Sequence, residues 1–178
     1  MQDCDVEIIS MKEAGVYEDI EENGSTFEEN ALIKASAIAK KTGILTLADD
    51  SGLEVDYLDK APGIFSARYL GEDTPYSVKN KAIIDALEGV PDEKRSARFV
   101  CAVAAVKPDG TKEVVRATME GRVAYKTAGE NGFGYDPLFF IPEKGCTSAE
   151  LTAKEKNEIS HRGKALKAMR DKLFLQEN

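Results

Sequence analysis

Two long β-type segments joined by a turn restrict the fold most. "ARFVCAVAAV" (97–106) is almost unbroken apolar sequence, "KPDGT" (107–111) gathers Pro, Asp and Gly, and "KEVVRATMEG" (112–121) resumes with β-branched residues. Runs of this kind on either side of such a turn read as an antiparallel hairpin, which commits this stretch to a sheet.

Upstream, helical and extended patterns interleave. "VEIIS" (6–10) reads as a short strand. "GSTFEENALIKASAIAKKTG" (24–43) has polar capping residues, an Ala-rich body and a terminal Gly43, the order expected of a helix, and "ILTLA" (44–48) follows as a buried strand. "TPYSVKNKAIIDALEG" (74–89) repeats the grammar, with Thr74 as cap, Pro75 at the first helical position and Gly89 at the end. The pattern predicts an α/β domain with a mixed central sheet flanked by helices. The 178 residues suit one domain with two lobes, without repeats or low-complexity linkers.

A net charge of −8 argues against a protein that coats a nucleic acid polymer, which needs clustered Lys and Arg, but leaves room for a small anion held by a few local cations. Cys4, Cys101 and Cys146 are widely spaced and read as reduced core or incidental residues. No apolar run approaches the roughly 20 residues that span a bilayer. The expectation is a cytoplasmic protein without membrane association.

Acids mark the first candidate site. In "LTLADDSGLEVD" (45–56), Asp49 and Asp50 stand together where a strand is expected to end, although "DDSG" also reads as a plain turn. In "STFEENALIK" (25–34), Ser25 or Thr26 caps the helix and the acid three positions on, Glu28 or Glu29, completes a capping box. The other acid is spare, and a carboxylate near a helix start can bind a cation. Glu29 lies away from the apolar stripe of Phe27, Ala31, Ala35 and Ile38; Lys34 sits at its edge, where a snorkelling surface lysine is the ordinary reading.

In "ENGFGYDPLFF" (130–140), Phe133 stands between Gly132 and Gly134, on backbone that bends sharply. A ring displayed in this way can stack on a base; a core aromatic at a turn is the alternative. In "LTAKEKNEISHRGKALKAMRDKL" (151–173), Thr152 and Glu155 have capping-box spacing, and Ser160 can cap a further helix with Ala165, Leu166, Met169 and Leu173 as its inner stripe. His161 and Arg162 then fall in a first helical turn, where cations oppose the dipole, a placement that hints at an anionic or carbonyl-bearing partner. Either residue alone also reads as exposed polar sequence.

"TFEENALIKA", "ADDSGLEVD", "APGIFSARY", "GFGYDPLF" and "LTAKEKNEISHRGKAL", in this order, resemble the inosine triphosphate pyrophosphatase family, house-cleaning nucleoside triphosphate pyrophosphohydrolases, over about residues 5–174. The resemblance implies an elongated α/β fold of two lobes with a substrate cleft between them. It implies a homodimer that hydrolyses ITP, dITP and XTP to monophosphate and pyrophosphate with Mg²⁺. Glu29 and Asp50 match the family's metal-binding acids, Asp50 also its proton acceptor, with Asp49 in support. Lys34 matches a phosphate-side lysine. Ser51, Phe133, Gly134, Tyr135, Asp136, Lys156, His161 and Arg162 match substrate-contacting positions. Hypoxanthine and xanthine carry a 6-oxo group where adenine carries an amine, so a donor in the His161 and Arg162 region would accept the former and reject the latter.

One departure stands out. The family's opening strand and its Thr/Ser-x-Asn-x-x-Lys phosphate loop have no counterpart before "VEIIS", so that strand and helix are expected to be missing. This keeps open a rival, a weak or inactive nucleotide-binding protein on the same scaffold. An aspartyl-nucleophile phosphatase fits less well, because it expects two Asp separated by one residue and "ADDSG" lacks that spacing.

Overall fold

Helix α1 covers Phe27–Thr42 and follows its capping signals closely. Thr26 is the cap, its side chain accepting the Glu29 N–H, and Gly43 ends the helix in the left-handed region at φ 67°. Glu28 and Glu29 at the start and Lys40 and Lys41 at the end complement the helix dipole. Phe27, Ala31, Ala35 and Ala39 form the buried stripe, so small side chains bring the helix close to its support.

The structure is a computed structural model and describes residues 6–175. Five strands, β1 (Thr46–Val55), β2 (Ser96–Val106), β3 (Lys112–Val123), β4 (Phe139–Ile141) and β5 (Cys146–Thr147), form one sheet in the order β1-β2-β3-β4-β5. The expected hairpin is β2–β3, its turn closed by Lys107 N–H to Thr111 O at 2.9 Å. The pairs β3–β4 and β4–β5 are antiparallel, with Arg122 opposite Phe140 and Phe140 opposite Thr147. Helices α2 (Tyr76–Ala86), α3 (Ala153–Ile159) and α4 (His161–Phe174) complete the α/β fold.

The chain forms two compact units. The first takes the residues up to Asp50, Cys101–Ala117 and those from Arg162 onward; the second takes Ser51–Val100 and Thr118–His161. In the first, Cys101, Val103 and Ala105 of β2 pack with Ala165 and Met169 of α4, joined by Leu45, Leu47, Val115 and Leu173. In the second, Leu53, Ile83, Leu87, Phe99, Val123, Leu138 and Phe139 are the heart of a larger core. The unit boundary crosses two of the sequence motifs, between Asp50 and Ser51 and between His161 and Arg162.

Four local expectations are corrected. "VEIIS" is irregular, not a strand, because an alternating apolar run becomes one only where an edge takes up its backbone groups. Instead Val6, Ile8 and Ile9, with Ile44, Leu45 and Leu166, line an apolar groove of about 640 Å³ in the first unit, which contains none of the expected site residues. "DDSG" does not end a strand either, since β1 runs through it to Val55. Thr74 does not cap α2: its hydroxyl donates back to Leu70 O at 2.7 Å and Pro75 takes the N-cap position. Leu166 is 40% exposed rather than part of the inner stripe.

Cys101 is buried and Cys146 half-buried, neither in a disulfide, while Cys4 lies outside the described residues. No helix among the described residues is long and apolar enough to cross a membrane.

Candidate active site

Because β1 continues through "ADDSG", the two acids point to opposite faces of the strand. Asp49 extends the row of Leu45 and Leu47, the side that packs on α4. There its Oδ2 accepts Arg162 Nε at 3.1 Å and Nη2 at 2.9 Å, and Cys101 Sγ lies at 3.8 Å. Asp50 faces α1, where its Oδ2 accepts Asn30 Nδ2 at 3.0 Å and its Oδ1 lies 3.7 Å from Lys34 Nζ. Adjacent in sequence, the acids thus serve different sets of partners. Asp49 pairs with Arg162, a residue that the resemblance assigns to the base end.

The first turn of α1 supplies the second carboxylate. Glu29 Oε2 accepts both the N–H and the hydroxyl of Ser25, at 2.7 and 2.6 Å. The Ser25 hydroxyl first, and then its N–H, hold the Glu29 carboxyl below the usual glutamate range, so it remains anionic. Glu28, whose Oε1 lies 3.4 Å from Arg116 Nη1, is therefore the acid outside the cap. Asn30 is fully buried and takes the Gly24 N–H on its Oδ1 at 2.8 Å while giving Nδ2 to Asp50. Lys34 is half-buried and binds Glu22 at 2.9 Å, so it is held in place and not merely snorkelling.

Oxygen donors of this kind suit a hard cation. Among the described residues no group of three or more His, Cys, Asp or Glu makes a preformed cage. Mg²⁺ does not need one, since it is usually held by one or two carboxylates together with phosphate oxygens and water. Glu29 and Asp50, the latter joined through Asn30 to the turn that carries Glu29, fit that donor set.

In the second unit a buried carboxylate organises the aromatic loop. Asp136 is 2% exposed; its Oδ2 accepts the Phe133 N–H at 2.8 Å and pairs with Lys156 Nζ, while its Oδ1 accepts the Ser148 hydroxyl at 2.8 Å. Gly132 is required above this knot: at φ 76° it is left-handed, and a Cβ there would lie 2.2 Å from Asp136 Oδ2. The result is Phe133 with 66% exposure, its ring centroid 5.0 Å from Lys156 Nζ. An apolar ring left so exposed above a fully satisfied polar knot is not a core aromatic.

The other expected contacts separate into surface and support. Tyr135 is buried, donates its hydroxyl to Ser66 O at 2.9 Å and packs edge-on against Tyr76 at 5.2 Å; burial pushes its phenol well above the ordinary range. Like Asp136, it holds the loop from beneath. The Gly134 carbonyl accepts Asn80 Nδ2 at 3.1 Å. His161 is 8% exposed and stacks on Phe99, with centroids 4.9 Å apart and planes 19° apart. Ser51 is the first β1 residue of the second unit.

Asn30, Asn80 and Ser148, all buried, were not anticipated. Asn30 left a signal: it lies three residues after Phe27, on the apolar side of α1, where an uncharged polar residue needs a partner. Asn80 and Ser148 left none: Asn80 bonds a backbone carbonyl 54 residues away, and Ser148 lies in a short turn with no periodic apolar face to set it against.

The Ham1 family profile matches residues 1–172. A dITP/XTP pyrophosphatase from Clostridium perfringens is 46% identical over 179 residues, covering 97% of this chain and 88% of that protein. One from Exiguobacterium sibiricum is 53% identical over 149 residues, covering 84% and 75%. Among solved structures, a HAM1 protein from Coxiella burnetii superposes with a TM-score of 0.91 at 43% identity, covering 97% of this chain and 88% of that one. With the profile running through both compact units and the five motifs lying within it, the chain belongs to the Ham1 family.

Proposed function

We propose that this protein hydrolyses deaminated purine nucleoside triphosphates, ITP, dITP and XTP, to the monophosphate and pyrophosphate. The observation that carries the reading is Phe133, an exposed ring held by the buried Asp136 knot. A flat apolar ring next to a cation suits a base, and the relatives named dITP/XTP pyrophosphatases support that choice.

The residues divide the work by chemistry. Asp50 accepts a proton from the water that attacks the α-phosphorus, and the bond to the β-phosphate oxygen breaks as pyrophosphate leaves. Lys34, 3.7 Å from Asp50, offsets phosphate charge. Glu29 and Asp50 would hold Mg²⁺, which would supply further neutralisation of the pyrophosphate charge. Asp49 orients Arg162. Phe133 and Lys156 engage the base, with Gly134, Tyr135 and Asp136 shaping the loop. Ser51, His161 and Arg162 complete the substrate contacts and favour a 6-oxo purine. The protein acts as a cytoplasmic homodimer on a free nucleotide, as the resemblance implies, and the unbridged Cys101 and Cys146 suit a reducing compartment.

The test is pyrophosphate release from XTP and dITP against dATP and dGTP, with and without Mg²⁺, and the mass in solution by light scattering. Magnesium-dependent release from XTP and dITP, at least about a hundredfold above dATP in kcat/KM, is expected. Equal rates on all four nucleotides would overturn the base assignment.

A further inference from the structure

Phe133 has a glycine on each side, at φ 76° for Gly132 and 65° for Gly134, so its backbone has a permissive joint on both flanks. On the N-terminal flank the joint is locked by the Phe133 N–H bond to Asp136. On the C-terminal flank the lock is Asn80, whose Nδ2 donates to Gly134 O at 3.1 Å. Asn80 is 3% exposed, and its Oδ1 is buried without a partner among the described residues. The side chain therefore leaves an acceptor unmatched and keeps the bond to Gly134.

Helix α2 presents this lock as one face, since Tyr76, Lys79 and Asn80 have the spacing that brings side chains together on a helix. A Cβ on Gly134 would meet the Tyr76 ring at an ordinary contact distance of 3.5 Å, so Tyr76 stands beside the glycine. Lys79, 1% exposed, donates to Ala67 O at 2.6 Å, and the neighbouring Ser66 O accepts the Tyr135 hydroxyl. Tyr135 is thereby fixed through the 66–67 backbone, while Gly134 depends on Asn80.

We propose that Asn80 is a positioning residue for base binding: by holding the Gly134 carbonyl it sets the orientation in which Phe133 is presented. The inference rests on the reading of Phe133 as the ring that stacks on the base. Asn80 acts before the chemical step, so its loss weakens substrate binding and leaves turnover at saturation unchanged.

Asn80→Leu, Phe133→Ala and the double variant test this with XTP and Mg²⁺, alongside thermal unfolding of each. Leu keeps the branched outline of Asn, although it is bulkier, and removes both the donor and the unmatched acceptor. No unpaired polar atom then remains on the side chain, and thermal unfolding reads any cost of the added volume. Asn80→Leu should raise KM by about five- to tenfold, the equivalent of one lost hydrogen bond, with kcat within about twofold. In the Phe133→Ala background it should add nothing further to KM, because its effect runs through that ring. The same KM increase in both backgrounds, or no increase where Phe133→Ala has one, would overturn the inference and leave the reading of Phe133 standing. An unchanged KM in Phe133→Ala would sink that reading, and the inference with it. If Asn80→Leu does not fold, Asn80→Ala, which removes the amide without adding bulk or charge, supplies the same comparison; failure of both to fold would make Asn80 structural and overturn the proposal.

Discussion

Asn30 Nδ2 donates to Asp50 Oδ2 at 3.0 Å, fixing the middle of β1 to the first turn of α1. The bond spans 20 residues of sequence and is made from a fully buried side chain, whose other end holds Gly24 N–H at 2.8 Å. Replacing Asn30 by Ala leaves the part-buried Gly24 N–H without this acceptor and the Asp50 carboxylate without this donor. It should cost about 1–3 kcal/mol of stability in urea unfolding, the usual cost of an unmade buried hydrogen bond.

Asp50→Asn separates chemistry from folding at the same place. The amide can still bond Asn30 and occupies the same volume, so the unfolding midpoint should stay close to that of the parent. Loss of the proton acceptor should lower kcat by about a hundredfold or more in the pyrophosphate assay. Near-parental turnover would remove Asp50 from the mechanism.

The helices, the β2–β3 hairpin and the α3 capping box were legible in the sequence because their signals are local: a hydroxyl and an acid three residues apart, or a turn between two β-type runs. The course of β1 was not. Asp, Ser and Gly in succession carry a turn signal, and only the partners waiting on the two faces, Arg162 and Asn30, make two acids in mid-strand tolerable. The same limit hid the division among the "GFGYDP" residues. A motif names Phe133, Tyr135 and Asp136 alike; burial distinguishes the exposed ring from the two residues beneath it.

Gly132→Ala tests the knot under that ring. The added methyl meets Asp136 Oδ2 at 2.2 Å on a backbone at φ 76°, so both the contact and the conformation oppose it. A loss of about 1–3 kcal/mol is expected in thermal or urea unfolding, from the strain of a left-handed non-glycine residue alone. The corresponding change at Gly145, which is left-handed with nothing within 4 Å of a Cβ, should be milder.

Arg162→Ala should have the opposite profile. Its ion pair with Asp49 joins side chains that are 40% and 36% exposed, so water screens much of the attraction and the cost in stability should be no more than about 1 kcal/mol. A fall of more than about tenfold in kcat/KM for XTP is expected, as for the loss of a charged hydrogen bond to substrate. A variant that loses stability and keeps activity would confine the pair to a structural role.

Acid sensitivity should centre on Asp56. Burial pushes its carboxyl upward, but the Arg98 fork, Lys60 and the Ser96 hydroxyl outweigh that and hold it well below the ordinary aspartate range. A carboxyl depressed in the folded state favours folding above its unfolded pKa of about 4, and that contribution disappears as pH falls from there through the folded value. Asp56→Asn should therefore be less stable than the parent by about 1–3 kcal/mol at pH 7, the range for hydrogen bonds to a charged group. Urea unfolding at a series of pH values should show this gap constant above about pH 5 and narrowing below about pH 4. A gap that stays constant down to the acid transition would mean that Asp56 has the same pKa folded and unfolded, and that the Arg98 fork does not hold its charge.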